Sequence, residues 1–334
     1  IARPALHLAA MKRIAVITSG GDVPGLNAAI RAVTRTALAY GAQVLGVRRG
    51  YEGLIEGDFI ELTSRSVAGI LRQGGTMLGT SRSDRFMTDA GRRQAKAQLE
   101  RAGVEGLVVI GGNGTLAGAY ELFKLGVPLV GVPKTIDNDQ YGTDIAIGVD
   151  TALNTIAEAV GRIKDTASSH RRAFLVEVMG RHCGYLALAS GIITGAEMVL
   201  IPEQPAHPSD VAARIIEAHH IGKAHCIIIV AEGWKPGLRA LQQYLADNHT
   251  DEGFDIREVV LGHVQRGGTP TAFDRLLATR MGVRAVESLL DGSGIGQMVG
   301  LHGGQLGLVP LEVATSCPKP LSAELMRIGE MLCR

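Results

Sequence analysis

The chain alternates nearly continuous apolar runs with helical patterns, and that alternation leaves few folds open. RIAVIT at 13–18, the stretch 43–48, GLVVI at 106–110, VPLVGV at 127–132, AFLVEV at 173–178, the stretch 197–201 and HCIIIV at 225–230 read as strands, with another near 258–262. They lack the in-out alternation of a sheet wetted on one side, so both faces are expected to be covered. Helical patterns at 25–39, 89–102, 149–166, 183–194, 209–221 and 271–290 lie between them. This order predicts an α/β chain with mostly parallel sheets covered by helices on both faces. At 334 residues the chain is too long for one ordinary core, and two Rossmann-like lobes are expected.

Composition narrows the functional classes. Hydrophobic residues make up 46% and aromatic residues only 4%, so the interior must be aliphatic. A formal net charge of +1 sets up no field for nucleic acid or a membrane surface, and no apolar run reaches spanning length. Cys183, Cys226, Cys317 and Cys333 have no CxxC spacing, which fits free thiols in a reducing cytoplasm better than a disulfide frame or a zinc site. Residues 1–11 are set apart as an extension or tag. The 44 glycines gather where strands end: SGGD at 19–22, QGGT at 73–76, IGGNGT at 110–115, MGRHCG at 179–184 and QRGG at 265–268. Glycine there admits a ligand close to the backbone and frees N–H groups to face anions. In parallel sheets, ligands gather at those strand ends.

The phosphate-binding pattern GxxxxGK[ST] is absent. GNGTLA at 112–117 matches GxGxxA after a strand and raises a dinucleotide-dependent oxidoreductase, but the following strand ends in Pro133-Lys134 and offers no acid for a ribose. The same glycines and Thr115 also suit phosphate oxygens at the mouth of a helix. The stretch PKTIDND at 133–139 exposes Lys134, Asp137 and Asp139 at the tip of a buried strand, which a solvated loop with an Asx turn would equally allow. His182 beside Cys183 has no second pair with which to hold a metal.

Taken together, TSGGDVPGLNAAIR at 18–31, IGGNGT, PKTIDND, SSHRRAFLVEVMGRHCGYLA at 168–187, AEG at 231–233 and LGHVQRGGTPTAFDR at 261–275 closely resemble the phosphofructokinase family, from about residue 12 to 300. Within it the chain looks closest to the bacterial subgroup whose members use ATP or pyrophosphate. The resemblance implies transfer of a phosphoryl group to the 1-hydroxyl of fructose 6-phosphate in glycolysis, with Mg²⁺. It also implies a donor-binding lobe of 12–148 plus about 265–315, and a sugar-phosphate lobe of about 149–264 plus the C-terminal tail.

By match to the family's motifs, Asp137 would take the hydroxyl proton, Thr135 would hold the sugar or the phosphoryl group, and Asp139 would position magnesium through water. If the chain stays extended, spacing by two puts both aspartates on one side. Gly21, Arg82, Asn113, Gly114, Thr115 and Lys134 would meet the donor, and Arg181 would stabilise the transferring group. Arg172, Met179, Gly180, Glu232, Arg257, His263 and Arg266 would hold the sugar phosphate. Arginine suits a phosphate because its fork meets two oxygens. Arg172 and Arg257 serve a neighbouring subunit's site in the family, which implies a homo-oligomer, dimer or tetramer, with shared active sites. Taken alone, Arg172 reads as surface solvation and His263 as a core histidine.

Three departures stand out. Asn113 replaces the family's aspartate, so direct metal ligation there is doubtful and a catalytically silent sugar-phosphate sensor is an alternative. Gly114 leaves room for a nucleotide, whereas Lys134 matches pyrophosphate users; the balance falls to ATP, with pyrophosphate the alternative. Arg31, Arg35, Lys164 and Lys223 stand at effector positions, but Ser64 and Ile221 replace cations there, which puts allosteric control in doubt.

Overall fold

The computed structural model describes residues 11–248 and 253–333, so residues 1–10 of the expected extension and the last residue of the tail lie outside it. Among the described residues there are eleven strands: β1 (Arg13–Thr18), β2 (Gln43–Val47), β3 (Phe59–Leu62), β4 (Gly106–Gly111), β5 (Leu129–Pro133), β6 (Arg172–Val178), β7 (Met198–Leu200), β8 (Cys226–Ala231), β9 (Asp255–Val260), β10 (Gln297–His302) and β11 (Gln305–Pro310). They form a seven-stranded sheet ordered β11-β10-β5-β4-β1-β2-β3 and a four-stranded sheet ordered β7-β8-β6-β9. The fold is α/β with mostly parallel sheets and covering helices. Among the described strands, β2 with β3 and β10 with β11 pair antiparallel.

The chain divides into two compact units. Unit 1 comprises 1–135, 140–148 and 266–319; unit 2 comprises 136–139, 149–265 and 320–334. The four residues 136–139 therefore interrupt the segment 12–148. In unit 1, Ile14, Val16, Val108, Val109, Leu129 and Val130 are fully buried, because helices cover both faces of the central strands. In unit 2 the central strand β8 is buried along its whole length, and Trp234 packs into the cluster formed by Leu175, Ile228, Val230 and Leu241.

Parallel register sets which loops become neighbours. In unit 1, Thr18 pairs with Ile110 and Gly111 pairs with Pro133, so the segments after β1, β4 and β5 leave the sheet side by side. In unit 2, Val178 pairs with Ala231 and Glu177 with Val260, which aligns the segments after β6, β8 and β9 in the same way.

The helices Leu26–Ala39 and Ala272–Leu290 cross at Gly282, where a Cβ would stand 2.8 Å from the Ala32 Cβ and 3.1 Å from the Ala29 carbonyl oxygen. Backbone on one side and a buried methyl on the other leave no room to yield. Gly282→Val is expected to destabilise the chain by about 1–3 kcal/mol through overpacking, read as a lower urea midpoint with an unchanged slope.

Candidate functional site

In unit 1 the candidate residues gather around Lys134. Its side chain lies along the end of β5, only 3% exposed, and its ammonium donates to the Gly21 carbonyl. Gly20 adopts φ +82°, and a Cβ there would meet Thr115 Oγ1 at 3.1 Å and Lys134 Nζ at 3.3 Å. Gly112 fits as tightly, with a Cβ falling 3.2 Å from the Lys134 carbonyl oxygen. These glycines are glycines because the three loops touch. Gly114, next to them in the first turn of the helix Asn113–Lys124, is different: a Cβ there would meet nothing within 4 Å. Asn113 is exposed at the same helix start, whose first turn holds no acid.

Arg82 is exposed on a loop fastened to this centre, since Thr80 Oγ1 donates to the Gly20 carbonyl at 2.7 Å. The preceding glycine loop is held by buried Asn27, whose amide donates to the Gln73 and Gly74 carbonyls at 3.2 and 3.1 Å and accepts from the Met77 N–H at 2.7 Å. Tyr51 supports Thr115: its hydroxyl donates to the Thr115 carbonyl at 2.6 Å and its ring stacks on Phe86 at 3.8 Å. Arg266, assigned with the sugar-phosphate residues, lies in unit 1 against the donor loop, donating to the Asp22 carbonyl at 3.4 Å; a Cβ on Gly21 would stand 2.7 Å from its guanidinium.

In unit 2 the loop after β6 is built around Glu232. Its Oε1 accepts from the Gly180 N–H at 3.1 Å and the Arg181 N–H at 2.6 Å. Gly180 has φ +140° and Arg181 φ +52°, a left-handed conformation that costs a non-glycine residue energy and must be held. Buried Gln265 accepts from the Met179 N–H at 3.2 Å and donates to the Gly262 carbonyl at 2.9 Å, joining this loop to the one that carries His263. His263 itself is exposed, not the core histidine it resembles in isolation. Arg172 and Arg257, one on β6 and one on β9, share a single carboxylate oxygen of Asp255: Arg172 Nε donates at 3.0 Å, Arg257 Nη2 at 2.8 Å. Burial raises the Asp255 pKa, but the hydrogen bonds and charges of Arg257 and Arg172 outweigh it and hold the carboxyl below its ordinary value.

Asp137, Asn138 and Asp139 belong to unit 2, with Asp137 6% exposed. The extended chain on which a shared side for both aspartates depends is not found, because Asn138 takes φ +51°. Asparagine tolerates that conformation through its short polar side chain, so a period of two no longer decides which way the aspartates point. Both still act on Cys183, whose thiol is pushed up to about 11 by burial first, the Tyr185 backbone hydrogen bond opposing, and the charges of Glu203, Asp139 and Asp137 adding. Asn27, Gln265, Asp255 and Glu177 were not legible as site residues in the sequence. Glu177 is raised by burial and then by Glu232 and Glu258. Among the described residues, no group of three histidine, cysteine or carboxylate side chains makes a metal cage on its own, and no helix is long and apolar enough to cross a membrane.

Glycine loops and charged side chains thus collect at the carboxyl ends of parallel strands in both units, whereas Arg172 and Asp255 open β6 and β9 at the opposite ends. The sequence pattern described as Phosphofructokinase matches residues 13–289. The ATP-dependent 6-phosphofructokinase of Thermotoga petrophila is 53% identical over 325 residues, covering 96% of this chain and 100% of that protein. The ATP-dependent 6-phosphofructokinase 1 of Thermus thermophilus is 50% identical over 328 residues, covering 96% of this chain and 99% of that protein. The solved phosphofructokinase of Saccharomyces cerevisiae matches with a TM-score of 0.83 at 37% identity over 91% of this chain, which spans only 44% of the yeast polypeptide. The chain belongs to the phosphofructokinase family.

The thiols give a direct check of this loop. With its pKa pushed up to about 11, Cys183 holds roughly one thiolate in a thousand at pH 8, and Cys226, buried and pushed up to about 12, still fewer. Alkylation followed by mass spectrometry at that pH is expected to label exposed Cys317 first and to leave Cys183 and Cys226 essentially unmodified in the folded protein.

Proposed function

We propose that this chain is an ATP-dependent 6-phosphofructokinase that transfers a phosphoryl group to the 1-hydroxyl of fructose 6-phosphate, as an enzyme of glycolysis in the cytoplasm. The observation that carries this reading is the burial of a cation, a hydroxyl and a carboxylate (Lys134, Thr135 and Asp137) in one short stretch beyond a parallel strand. Transfer to a sugar hydroxyl needs a base on the attacking oxygen and positive charge on the donor phosphates. Chain continuity alone keeps the Asp137 and Lys134 backbones within about 11 Å of each other.

In this reading unit 1 binds the donor. Gly21, Thr115 and the N–H groups opening helix 113–124 face its phosphates, Lys134 holds the loop and adds charge, and the open space at Gly114 admits the nucleotide's inner phosphate. Met179, Gly180, Glu232, Arg257, His263, Arg172 and Arg266 bind the sugar phosphate. Asp137 accepts the proton from the 1-hydroxyl, Thr135 orients the group in transfer, and Arg82 and Arg181 stabilise charge spreading onto its oxygens. Mg²⁺, which arrives with the donor and neutralises charge on its phosphate oxygens, would be held by Asp139 through water, since exposed Asn113 brings no charge; such sparse ligation is ordinary for magnesium on phosphates. Pyrophosphate remains the second reading because of buried Lys134, although relatives at 50–53% identity are named for ATP.

The enzyme is proposed to act as a homo-oligomer with shared sites. Strand β9 is an edge of its sheet, none of its residues is buried within the chain, and Val260 at its end is 57% exposed. An uncovered edge bearing Arg257 suits a partner copy.

A coupled assay with fructose 6-phosphate and Mg²⁺, run with ATP, with pyrophosphate or with neither, tests the reading; turnover with ATP is expected, and turnover with pyrophosphate alone reverses the donor. Asp137→Asn is expected to lower kcat by about a hundred- to ten-thousandfold with little change in the KM for the sugar, because base assistance acts in the transition state. Near-native turnover in that variant would remove Asp137 from the mechanism.

For assembly, Arg172→Ala should raise the KM for fructose 6-phosphate far more than that for the donor. Oligomers mixed from Arg172→Ala and Asp137→Ala subunits should regain activity that neither has alone, since some sites then draw an intact Arg172 and an intact Asp137 from different chains. Verified mixed oligomers that recover nothing would exclude shared sites.

A further inference from the structure

The stretch 261–275 contributes His263 and Arg266 to the proposed site and leaves Asp274 without a role, although Asp274 is a fully buried carboxylate at 0% exposure. It stands in the first turn of helix 272–290, where its N–H donates to the capping Thr271 hydroxyl at 3.2 Å. Its Oδ1 accepts from the Gly148 N–H at 2.8 Å. Gly148 adopts φ +101°, and a Cβ there would stand 2.6 Å from that of Val23. One residue earlier, Ile147 pairs with the extension of β5: its carbonyl accepts from the Thr135 N–H at 3.2 Å, and its N–H donates to the Pro133 carbonyl at 3.3 Å. Gly25, which ends the 19–25 loop, is so close that a Cβ would meet Ile147 Cγ2 at 2.6 Å and the Asp274 Cβ at 3.8 Å. Within unit 1, the segments at 23–25, 133–135 and 147–148 therefore close on one joint, and Asp274 fixes it.

A charge withdrawn from water persists only where donors meet it, and here the start of a helix and a loop amide do so. A carboxylate directed at a backbone N–H holds a position of the chain. We propose that Asp274 is a positioning residue for phosphoryl transfer: by fixing Gly148 it fixes the pairing of Ile147 with Thr135 and so the placement of Asp137, two residues further on. The proposal rests on Asp137 being the base. It requires Asp274 to act on kcat and not on either substrate's binding, because the bond it accepts comes from the Gly148 N–H, a backbone position assigned to neither substrate.

The test compares wild type, Asp274→Asn and Asp274→Ala by steady-state kinetics with both substrates, by thermal midpoint, and by hydrogen exchange of a peptide spanning 145–150. For Asp274→Ala, kcat is expected to fall about a hundredfold, the effect of a displacement near 1 Å, with each KM within about threefold of wild type and faster exchange across 145–150. Asp274→Asn keeps an oxygen in place but loses the charge-assisted bond, so an intermediate loss of about three- to tenfold at an unchanged midpoint is expected. If the alanine variant fails to fold, the asparagine variant decides alone. A folded Asp274→Asn with wild-type kcat overturns the proposal, and so does a loss of activity that merely tracks the unfolded fraction in every variant. An inactive wild-type chain would instead sink the phosphofructokinase reading, while the exchange measurement still reports whether Asp274 holds Gly148.

Discussion

A buried ammonium ion organises the first unit. Lys134 lies at the end of a parallel strand with 3% of its surface exposed, and a charge so placed must be met by hydrogen bonds or leave the fold. The Gly21 carbonyl meets it, which draws the loop after β1 across the end of β5. Gly20 and Gly112 follow from this: with the loops drawn together, a Cβ at either place would press on Thr115 Oγ1 and the lysine ammonium or on the lysine carbonyl. Thr80 then closes the ring by donating to Gly20, which brings the Arg82 segment in. Three strand ends that parallel register had placed side by side thus become one object. The space left beside Gly114 is what remains once the other positions are filled.

How much of this was legible in the sequence depended on the range of the interaction. The central strands β1, β4, β5, β6 and β8 announced themselves because burial on both faces demands continuous apolar residues. Strands β3, β10 and β11 did not: FIEL, QMVGLH and QLGLVP are short or interrupted by polar residues and glycine, although β10 is buried on both faces between parallel β5 and antiparallel β11. The sequence assigns candidate roles to residues in recognisable motifs, but it assigns none to the groups that support them. Asp255 bonds Arg172 across 83 positions, and Asp274 bonds Gly148 across 126. Neither spacing leaves a local signature. Asn138 removes a condition: the spacing of two put both aspartates on one side only for an extended chain, and the left-handed backbone here is within asparagine's known range.

Within unit 2, two different electrostatic strategies stand at opposite ends of the same parallel strands. Glu232 and Gln265 direct their oxygens at the N–H groups of residues 179–181 and hold Arg181 in a backbone conformation it would not choose alone. Groups fixed in this way before a ligand arrives need no reorganisation when charge develops. Arg172 and Arg257 are instead held side-chain to side-chain by Asp255, at an exposed position where an ion pair contributes little. A phosphate dianion offers both guanidiniums more charge and more acceptors than one shared carboxylate oxygen. Asp255 therefore holds the two arginines on one oxygen. In the proposed function, the carboxylate that aims at backbone would shape the loop carrying Arg181, and the one that aims at arginines would keep a binding pair ready; the difference lies in what each oxygen faces.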